Sequence, residues 1–506
     1  MNRVTEKSML HKSLQLSGVD LELIPSAMRM ARAAQRDWAI KPIARRLVPV
    51  AELRRLISEN AMALAAASAG SRQRPTAESL TAEVIPLAEA CRFLVRNTGS
   101  LLKTRRLGSR SLPLWLWGVR REIRRDAFGV ILIIGPGNYP LFLPGVQLIQ
   151  ALVAGNAVML KPGVGGTPAA AALINLIVRA GFDPGLVWLL PESVEAARCA
   201  IAAGPDKVLF TGNAGTGEKI LQQLAPSLIP ATLELSGSDA VVVRADADLD
   251  LVTKALVFGF RLNGGATCMA PKRVFVDRRI ATELEGRLAK ALSPEGSYRL
   301  SAELASRLGP CLDRALESGM HFIAGSHHPE EELMGPVVLG GATPDAPILQ
   351  EDLFAPIVVL VTVADDAEAV LRANDCRFAL GASIFSRNHA VARRMAERLN
   401  AGVVTINDLI VPTADAHAPF GGRKRSGFGV TRGAEGLLEL TAPKVITLTR
   451  GRMRPAFDLP HPGDGALFEA YIGVAHGRGL AGRIRSLINF LKSLMNRSKL
   501  KAQSGL

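Results

Sequence analysis

The chain has 506 residues and a net charge of +15, and 48% of its residues are hydrophobic and 5% aromatic. This length exceeds what one hydrophobic core usually supports, so two or more domains are expected. The positive charge indicates an anionic partner such as a nucleotide, an acidic lipid or a nucleic acid, whereas the few aromatic residues argue against a stacking surface for single-stranded nucleic acid.

The five cysteines exclude two further kinds of site. They are scattered and odd in number, and they form neither a CxxC pair nor a Cys/His spacing suited to zinc. A disulfide framework and a metal site are therefore not expected, and a reducing, cytoplasmic location is the default. The opening segment MNRVTEKSMLHKSLQLSG carries charges throughout and has no apolar centre, so the sequence predicts no secretory signal there.

The first half of the chain alternates between helix and strand patterns. Residues 51–104 are rich in Ala and Leu at helical spacing and are expected to be wholly helical. Residues 128–160 carry no charge, but Gly and Pro interrupt them, which favours strand, loop, helix and strand over a membrane span. The strand GVILIIG, the helix VQLIQALVAG and the strand AVMLK then form a βαβ unit, whose parallel strands are buried on both faces.

The alternation continues as far as residue 235. It runs through the helix TPAAAALINLIVRAG, the strand LVWLLP, the helix VEAARCAIAAG, the strand KVLFTG, the helix TGEKILQQLA and the strand ATLEL. Strands that alternate with helices of this length predict a doubly wound parallel sheet. Further on the pattern loosens, with strands predicted at RVFV, PIVVLVTV and GASIFS, and from Gly451 a linker leads to a basic tail.

Two loops follow predicted strands at positions suited to ligand binding. Asn138 follows a core strand in GPGNYP, and ligands of open α/β sheets bind at the carboxyl ends of strands, although a turn-forming role is the alternative. The segment FTGNAGTGEK joins a strand to a helix through Gly212, Gly215 and Gly217. Glycines there allow a phosphate to approach backbone N–H groups, and a tight turn is an equal interpretation.

Glu234 and Cys268 are candidates for acid–base and nucleophilic chemistry. Glu234 lies in the apolar strand ATLEL, where a carboxylate must be paired, solvated by a cavity or shifted in pKa. Two roles for Glu234 therefore remain open, that of a general base and that of a partner in a structural ion pair. Cys268 lies among small residues in NGGATCMAP, but it has no neighbouring histidine, and a lone cysteine is more often an inert core residue. Together with Asn138, these residues would supply a base, a nucleophile and an oxyanion donor for a carbonyl substrate.

Eight motifs in order resemble the aldehyde dehydrogenase superfamily. They are GPGNYP, GNAVMLKP, FTGNAGTG, TLELSG, DADLD, NGGATCMAP, EDLFAPI and APFGGRKRSGFG, and they lie within roughly residues 40–448. The pair TLELSG and NGGATCMAP is the most specific, and GNYP, FTGN and TCMAP are most similar to the branch that oxidises fatty and other lipophilic aldehydes. The resemblance implies an α/β fold with a doubly wound parallel-sheet cofactor domain, an α/β catalytic domain and a small oligomerisation sheet.

The resemblance also assigns roles to individual residues. Cys268 would be the nucleophile, Asn138 with the backbone N–H of Cys268 would form the oxyanion hole, and Glu234 would activate the hydrolytic water. NAD or NADP would be held by Lys161 at the adenosine ribose, by Gly212, Asn213 and Gly217 at the pyrophosphate, and by Asp352 and Phe354 at the nicotinamide ribose. A homo-oligomer, expected to be a dimer, is implied as well.

Three positions depart from the pattern of the family. Val164 stands where an acid commonly holds the ribose, which leaves the choice between NAD and NADP open. Ser236 replaces a glycine, and Asp352 is one methylene shorter than the usual glutamate. The shorter acid is expected to loosen the grip on the nicotinamide ribose without abolishing it.

The expected organisation has three parts. Residues 1–233 would form N-terminal helices and the dinucleotide-binding domain, completed by about 412–448; residues 234–411 would form the catalytic domain, and 449–506 a linker and tail.

The leading hypothesis is NAD(P)-dependent oxidation of a lipophilic or long-chain aldehyde through a cysteine thiohemiacetal and thioester. An acylating dehydrogenase or acyl-thioester reductase and a non-catalytic binding protein are the alternatives, and Glu234 favours hydrolysis because the acylating relatives tend to lack it. No nucleic-acid recognition motif accompanies the positive charge, so no nucleic-acid partner is expected.

The tail GLAGRIRSLINFLKSLMNRSKLK predicts an amphipathic helix. Apolar residues recur at helical spacing, basic residues lie between them, and no acid follows Glu469. Such a helix is too interrupted by charge to span a bilayer, but it suits an anionic membrane surface. Packing against the enzyme or against a second subunit is the alternative.

Overall fold

The computed structural model describes residues 20–69, 74–108, 112–113, 116, 118–293, 296–300, 302–326, 333–449, 457 and 462–504, with the backbone alone for 497–504. The chain divides into two compact units. The first comprises the described residues of Met1–Thr104 and Arg124–Lys444, and the second those of Arg105–Ile123 and Val445–Leu506. The N-terminal segment up to residue 19 and most of the predicted linker lie outside the described residues.

Helices account for much of the first unit. In chain order they are α1 (Ile24–Ala39), α2 (Ile43–Glu59), α3 (Ala61–Ala69), α4 (Thr76–Ser79), a π-helical turn (Leu80–Val84), α5 (Ile85–Leu101), α6 (Phe142–Ala154), α7 (Thr167–Arg179), α8 (Val194–Ala202), α9 (Ala214–Leu224), α10 (Leu249–Arg261), α11 (Ala281–Leu292), α12 (Ala302–Glu317), α13 (Asp366–Asn374), α14 (His389–Arg398) and α15 (Gly433–Leu438). The second unit contains α16 (Asp464–His476) and α17 (Leu480–Ser504).

The prediction that residues 51–104 are wholly helical was wrong in detail. Asn60 leaves the helical conformation between α2 and α3, with φ −110° and ψ 20°. Arg74 and Pro75 are not helical either. The residue before a proline is disfavoured in the helical region, so α4 begins only after Pro75.

Across the residues that the structure describes, the strands form two large sheets and three small ones. In chain order they are β1 (Arg105–Leu107), β2 (Val119–Ala127), β3 (Val130–Ile134), β4 (Ala157–Lys161), β5 (Val187–Leu189), β6 (Lys207–Gly212), β7 (Ala231–Leu235), β8 (Asp239–Val243), β9 (Pro271–Asp277), β10 (Tyr298–Arg299), β11 (His321–Ala324), β12 (Leu333–Met334), β13 (Val337–Gly340), β14 (Ile357–Val363), β15 (Phe378–Ala379), β16 (Gly381–Phe385), β17 (Val403–Ile406), β18 (Arg423–Lys424), β19 (Gly427–Phe428) and β20 (Thr441–Thr449).

The first large sheet has the order β19–β7–β6–β3–β4–β5 and is parallel except for β19. Strands β3 and β4 are buried along their whole length, and every residue of α6 is buried. This burial is the physical reason for the continuous apolar runs in the sequence. The predicted α/β fold with a doubly wound parallel sheet is confirmed.

The second large sheet has the order β11–β13–β14–β9–β8–β16–β17. It is parallel from β13 to β17, and β11 is antiparallel to its neighbour. The three strands predicted in this region, β9, β14 and β16, are present, whereas β8, β13 and β17 were not predicted. The assignment of residues 234–411 to a separate catalytic domain stays a prediction.

The polar ends of several strands converge within the first unit. Strands β3, β6 and β7 are neighbours in the parallel order β7–β6–β3, so the loops that follow their carboxyl ends lie at one edge of the sheet. The loop after β3 carries Asn138, and β7 carries Glu234 next to its last residue. The segment that leads into β9 carries Cys268 to the same region.

The second unit contains the predicted tail helix. Strands β1 and β2 pair antiparallel there, and α16 packs against α17, with the rings of Tyr471 and Phe490 6.0 Å apart between centroids. The prediction of a helix in the tail is confirmed by α17. Of the helices in the described part of the chain, none is both long and apolar enough to cross a membrane.

Candidate active site

A left-handed turn presents Cys268. The three residues at its start, Asn263, Gly264 and Gly265, have φ values of 51°, 59° and 72°. A Cβ at Gly265 would lie 2.8 Å from the Cα of Pro356, so this position admits no side chain. The turn itself therefore requires glycine at position 265, and the chain continues from Cys268 into the buried strand β9.

Two cavities meet at Cys268. One, here called the polar cavity, has a volume of about 470 Å³ and is lined by Asn138, Val164, Gly212, Asn213, Glu234, Ser236, Arg299, Arg307, Asp352 and Phe354, among others. The other, here called the apolar cavity, has a volume of about 320 Å³ and is lined by Tyr139, Phe142, Phe258, Leu262, Met269, Ile410, Phe420 and Arg432, among others. Cys268 and Leu143 line both cavities. The thiol therefore lies at the junction of a polar and an apolar compartment.

Most of the site residues that were predicted from the sequence lie together in the structure. The polar cavity is lined by Cys268, Asn138, Glu234, Gly212, Asn213, Asp352 and Phe354. Lys161 and Gly217 are not among its lining residues. Gly217 lies in the first turn of α9, where a Cβ would come within 3.1 Å of the Leu235 side chain, so its absence of a side chain lets α9 pack closely on β7.

The Asn138 amide is fixed beside the thiol. Its Nδ2 donates to the carbonyl of Ala266 at 3.1 Å, and its Oδ1 accepts from the backbone N–H of Tyr139 at 3.0 Å. Ala266 lies two residues before Cys268. Because a carboxamide carries two N–H donors, a second N–H remains for a ligand in the polar cavity.

Glu234 is buried, with 3% of its surface exposed. Its Oε2 accepts from the Thr431 hydroxyl at 3.3 Å, and its Oε1 has no partner among the described residues. Burial raises the pKa of Glu234, and the positive charge of Arg432 opposes that rise. A buried carboxylate with one free oxygen at a cavity has the properties expected of a general base.

The electrostatic surroundings of Cys268 are mixed. Burial raises the pKa of its thiol, and the carboxylates of Glu234 and Asp239 raise it further. Arg432 and the backbone N–H of Met269 act in the opposite direction. A sulfur in such a position reacts as a thiolate only if positive potential offsets the two carboxylates.

Two departures from the family pattern contact each other. The Ser236 hydroxyl donates a hydrogen bond to Oδ2 of Asp352, and Oδ1 of Asp352 is buried without a partner among the described residues. Burial raises the pKa of Asp352, and the hydrogen bond from Ser236 is the largest effect that lowers it. The serine therefore holds the shortened acid in place and leaves its second oxygen available to a ligand.

A carboxylate from another segment lies close to Val164. The side chain of Val164 is 81% exposed. Next to it, the Glu192 carboxylate accepts hydrogen bonds at 2.8 Å from the backbone N–H groups of Gly165 and Thr167. Thr167 begins α7, so these bonds place a negative charge at a helix N-terminus. Burial raises the pKa of Glu192, but the hydrogen bond from the Thr167 side chain, the two backbone N–H groups and the charge of Lys161 together lower it.

The polar cavity fits a dinucleotide. Gly212 and Asn213 lie at the N-terminus of α9, where Oδ1 of Asn213 accepts from the Thr216 N–H at 2.8 Å. Helix N-termini bind phosphate, and Arg307 adds a cation to the cavity wall. Oδ1 of Asp352, which is buried and has no partner from the described residues, is an acceptor suited to a ribose hydroxyl.

Sequence reasoning missed two residues and one contact of this region. Arg432 lies in the segment GVTRGAEG, which carries no local signal of burial, and it is 5% exposed. Glu192 follows a predicted strand, and that position was a signal that could have found it. The hydrogen bond between Ser236 and Asp352 joins distant segments, and no local pattern predicts it.

Comparisons with known proteins point to one family. The model of the aldehyde dehydrogenase family matches residues 4–446. The chain is 31% identical over 441 residues to the 4,4'-diapolycopene aldehyde oxidase of Methylomonas sp, covering 85% of this chain and 82% of that protein. It is 30% identical over 456 residues to a Mycobacterium bovis protein named as a succinate-semialdehyde dehydrogenase using NADP(+), covering 86% of each.

Solved structures of aldehyde dehydrogenases are also similar to this chain. The structure of a betaine aldehyde dehydrogenase from Staphylococcus aureus in complex with NAD+ is similar with a TM-score of 0.79 and 25% identity, covering 88% of this chain and 91% of that one. The structure of an aldehyde dehydrogenase from Bacillus cereus is similar with a TM-score of 0.78 and 27% identity, covering 85% and 90%.

Proposed function

The chain belongs to the aldehyde dehydrogenase family and is an enzyme that oxidises aldehydes with NAD or NADP, and we propose that its substrate is a lipophilic aldehyde that reacts covalently with Cys268. The observation that carries this proposal is the position of the thiol at the junction of the two cavities. Hydride transfer requires the aldehyde carbon to lie between a substrate pocket and a cofactor site. Because Cys268 lines both cavities, its position supports a role in holding that carbon.

The mechanism uses three side chains. The Cys268 thiolate attacks the aldehyde carbon, and the carbonyl oxygen becomes an oxyanion. The free N–H of Asn138 and the backbone N–H of Cys268 stabilise this oxyanion, and an oxyanion donor of this kind is typically worth about 3–4 kcal/mol of barrier. The bound nicotinamide supplies the hydride acceptor. Glu234 then removes a proton from water, which attacks the Cys268 thioester and releases the carboxylic acid.

Residues of the polar cavity, together with Lys161 outside it, would bind the cofactor. Asp352 and Phe354 would hold the nicotinamide ribose, and the N-terminus of α9 at Gly212 and Asn213 would hold the pyrophosphate. Lys161, which ends β4, would hold the adenosine ribose.

We infer a preference for NAD over NADP. Glu192 and Lys161 interact electrostatically, and the Glu192 carboxylate already occupies the N-terminus of α7. A 2′-phosphate near Lys161 would meet that carboxylate, and like charges in one site repel each other. Glu192 would thus take over the role of the acid that Val164 replaces.

The walls of the apolar cavity support the lipophilic substrate. Aromatic and aliphatic side chains such as Phe142, Phe258 and Ile410 dominate them. The relative named for 4,4'-diapolycopene aldehyde supports the same choice, since that name describes an apolar aldehyde. The relative named for succinate semialdehyde makes a small anionic aldehyde the substrate to test against it.

The tail would attach the enzyme to an anionic membrane surface. The apolar side chains of α17 are largely exposed: Leu480, Ile484, Leu487, Ile488, Leu491, Leu494 and Met495 are between 43% and 77% exposed. Arg483, Arg485 and Lys492 lie on the same helix, and each basic residue near such a surface contributes about 1 kcal/mol. A lipophilic aldehyde partitions into membranes, so such an attachment would bring enzyme and substrate together.

A homodimer is proposed on the basis of β20. From Pro443 to Thr449 the residues of this strand are exposed, including Val445 and Leu448. Exposed apolar residues on a strand favour pairing with another chain.

Cofactor reduction across an aldehyde panel tests the substrate and the cofactor. The panel compares long-chain aldehydes with succinate semialdehyde, each with NAD and with NADP, and with or without coenzyme A. We expect the highest kcat/KM for a long-chain aldehyde with NAD, without coenzyme A, and no turnover by Cys268→Ala. Turnover that requires coenzyme A, or normal turnover by Cys268→Ala, would contradict the proposal.

Liposome flotation tests the tail. Ile484→Asp with Leu491→Asp should abolish flotation with anionic vesicles while leaving turnover of a short aldehyde unchanged. Asn489→Asp is the matched control, because it adds a charge on the same helix without removing an apolar side chain. Equal flotation of all three forms would leave the tail as a packing element.

A further inference from the structure

Arg432 is a buried cation in the wall of the apolar cavity. It is 5% exposed, and its guanidinium lies 4.2 Å from the ring centroid of Phe420 and 5.3 Å from that of Phe142. Its Nη1 donates to the carbonyl of Thr413, whereas its Nε is buried without a partner among the described residues. No carboxylate in the described part of the chain forms a salt bridge with it. Burying a charge without an ionic partner is costly, so this arginine needs a function that offsets the cost.

The backbone fixes Arg432 beside the candidate base. Arg432 has φ 63° and Gly433 has φ 60°, and a left-handed conformation is unfavourable for an arginine. The preceding residue, Thr431, exchanges two backbone hydrogen bonds with Phe420 at 2.7 and 2.8 Å, and its hydroxyl donates to Glu234. The backbone next to Arg432 is therefore fixed to Phe420 and to Glu234. The Arg432 side chain lies in the wall of the cavity that Cys268 also lines.

We propose that Arg432 is a positioning residue whose guanidinium supplies the positive potential in which the Cys268 thiol ionises. The proposal rests on the proposed function, in which Cys268 is the nucleophile. Its basis is the shared cavity: Arg432 and Cys268 both line the apolar cavity, and apart from three threonines that cavity's other walls are aromatic and aliphatic. In surroundings of low dielectric constant a single charge acts more strongly than it would in water.

Two carboxyl groups close to the thiol oppose its ionisation. The carboxylates of Glu234 and Asp239 raise the pKa of Cys268, and so does burial, while Arg432 lowers it. Tyr139 also faces the thiol, but burial raises the pKa of its hydroxyl, so it stays neutral. The thiol proton leaves to solvent, and the thiolate then has Arg432 as its cationic neighbour.

Alkylation of the resting enzyme tests the proposal without requiring turnover. Iodoacetamide is added at a series of pH values without aldehyde or cofactor, and the modified Cys268 peptide is quantified by mass spectrometry. Arg432→Met should shift the alkylation profile upward by at least about one pH unit, so that the rate at pH 8 falls about tenfold. Arg432→Lys should keep most of the wild-type rate, because the positive charge remains.

Arg46 offers a matched control. It is also buried, donates to one carbonyl, that of Val153, and has a buried Nε without a partner among the described residues, but it lines neither cavity. Arg46→Met should leave the alkylation profile of Cys268 unchanged. Arg432→Gln serves as a second uncharged variant if Arg432→Met does not fold.

Three results would overturn the proposal. The first is an alkylation profile of the uncharged variants that superimposes on the wild type, and the second is an equal shift in Arg46→Met. The third is an unchanged profile with a loss of turnover confined to anionic aldehydes, which would make Arg432 a clamp for a substrate carboxylate. Normal turnover by Cys268→Ala would instead refute the proposed function itself, so the two failures are distinguishable.

Discussion

Removal of the Ser236 hydroxyl is expected to weaken cofactor binding. This hydroxyl donates a hydrogen bond to Oδ2 of Asp352, and the other carboxylate oxygen, Oδ1, is buried without a partner in the described part of the chain. In Ser236→Ala the carboxylate loses this donor, and its pKa rises further because the hydrogen bond lowers it in the wild type. A charged hydrogen bond of this kind is worth about 1.5–3 kcal/mol. If Asp352 holds the nicotinamide ribose, the affinity for NAD should fall by roughly tenfold or more.

Isothermal titration with NAD measures this effect and a double-mutant cycle isolates it. Ser236→Ala, Asp352→Asn and the double variant are compared with the wild type, and a coupling energy of about 1–2 kcal/mol is expected because the residues are in contact. Ser238→Ala is the matched control. Ser238 is as deeply buried and lies two residues further on, and its hydroxyl makes one long bond of 3.4 Å to the carbonyl of Leu349. An unchanged NAD affinity in Ser236→Ala, or no coupling with Asp352→Asn, would refute the reasoning.

Three further predictions follow from single contacts. Asn138→Ala should lower kcat by about 100-fold or more in steady-state assays while leaving NAD affinity unchanged, because it removes an oxyanion donor; a kcat near the wild type would assign Asn138 to the turn alone. Glu192→Gln should raise kcat/KM with NADP relative to NAD, since it removes the carboxylate at the N-terminus of α7, and equal ratios in both forms would separate Glu192 from cofactor choice. Burial raises the pKa of Asp239 from 3.8 to about 7. The contribution of the Asp239 carboxyl group to the free energy of unfolding is therefore complete below pH 3.8 and is lost as pH rises through 7. Chemical denaturation should therefore show the wild type losing a few kcal/mol relative to Asp239→Asn across that range, and parallel pH profiles would contradict this.

The parallel core of the first sheet could be predicted closely from the sequence. Strands β4, β6 and β7 have the bounds that their apolar runs and flanking turns indicate, because strands covered on both faces admit few polar residues. Strands β8 and β13 were missed. Each is a run of only four or five residues, and short apolar runs do not distinguish a strand from other buried segments.

The candidate site was only partly predictable for a different reason. Asn138, Glu234 and Cys268 stand out because polar or reactive residues occur at strand ends or in apolar surroundings. Arg432 carries no such local signal, since its burial depends on Phe142 and Phe420 in other segments. The contact of Ser236 with Asp352 likewise exists only in three dimensions, and it shows that two apparent departures form one hydrogen-bonded pair.

The central claim is that aldehyde oxidation passes through a thioester on Cys268 that Glu234 helps to hydrolyse. Glu234→Gln removes the base but keeps an oxygen that can accept the Thr431 hydrogen bond. When this variant is mixed with a long-chain aldehyde and NAD, intact-mass spectrometry should show the mass of the acyl group accumulating on the protein, and peptide mapping should place it on Cys268. Full turnover by Glu234→Gln without any acyl adduct would contradict the account.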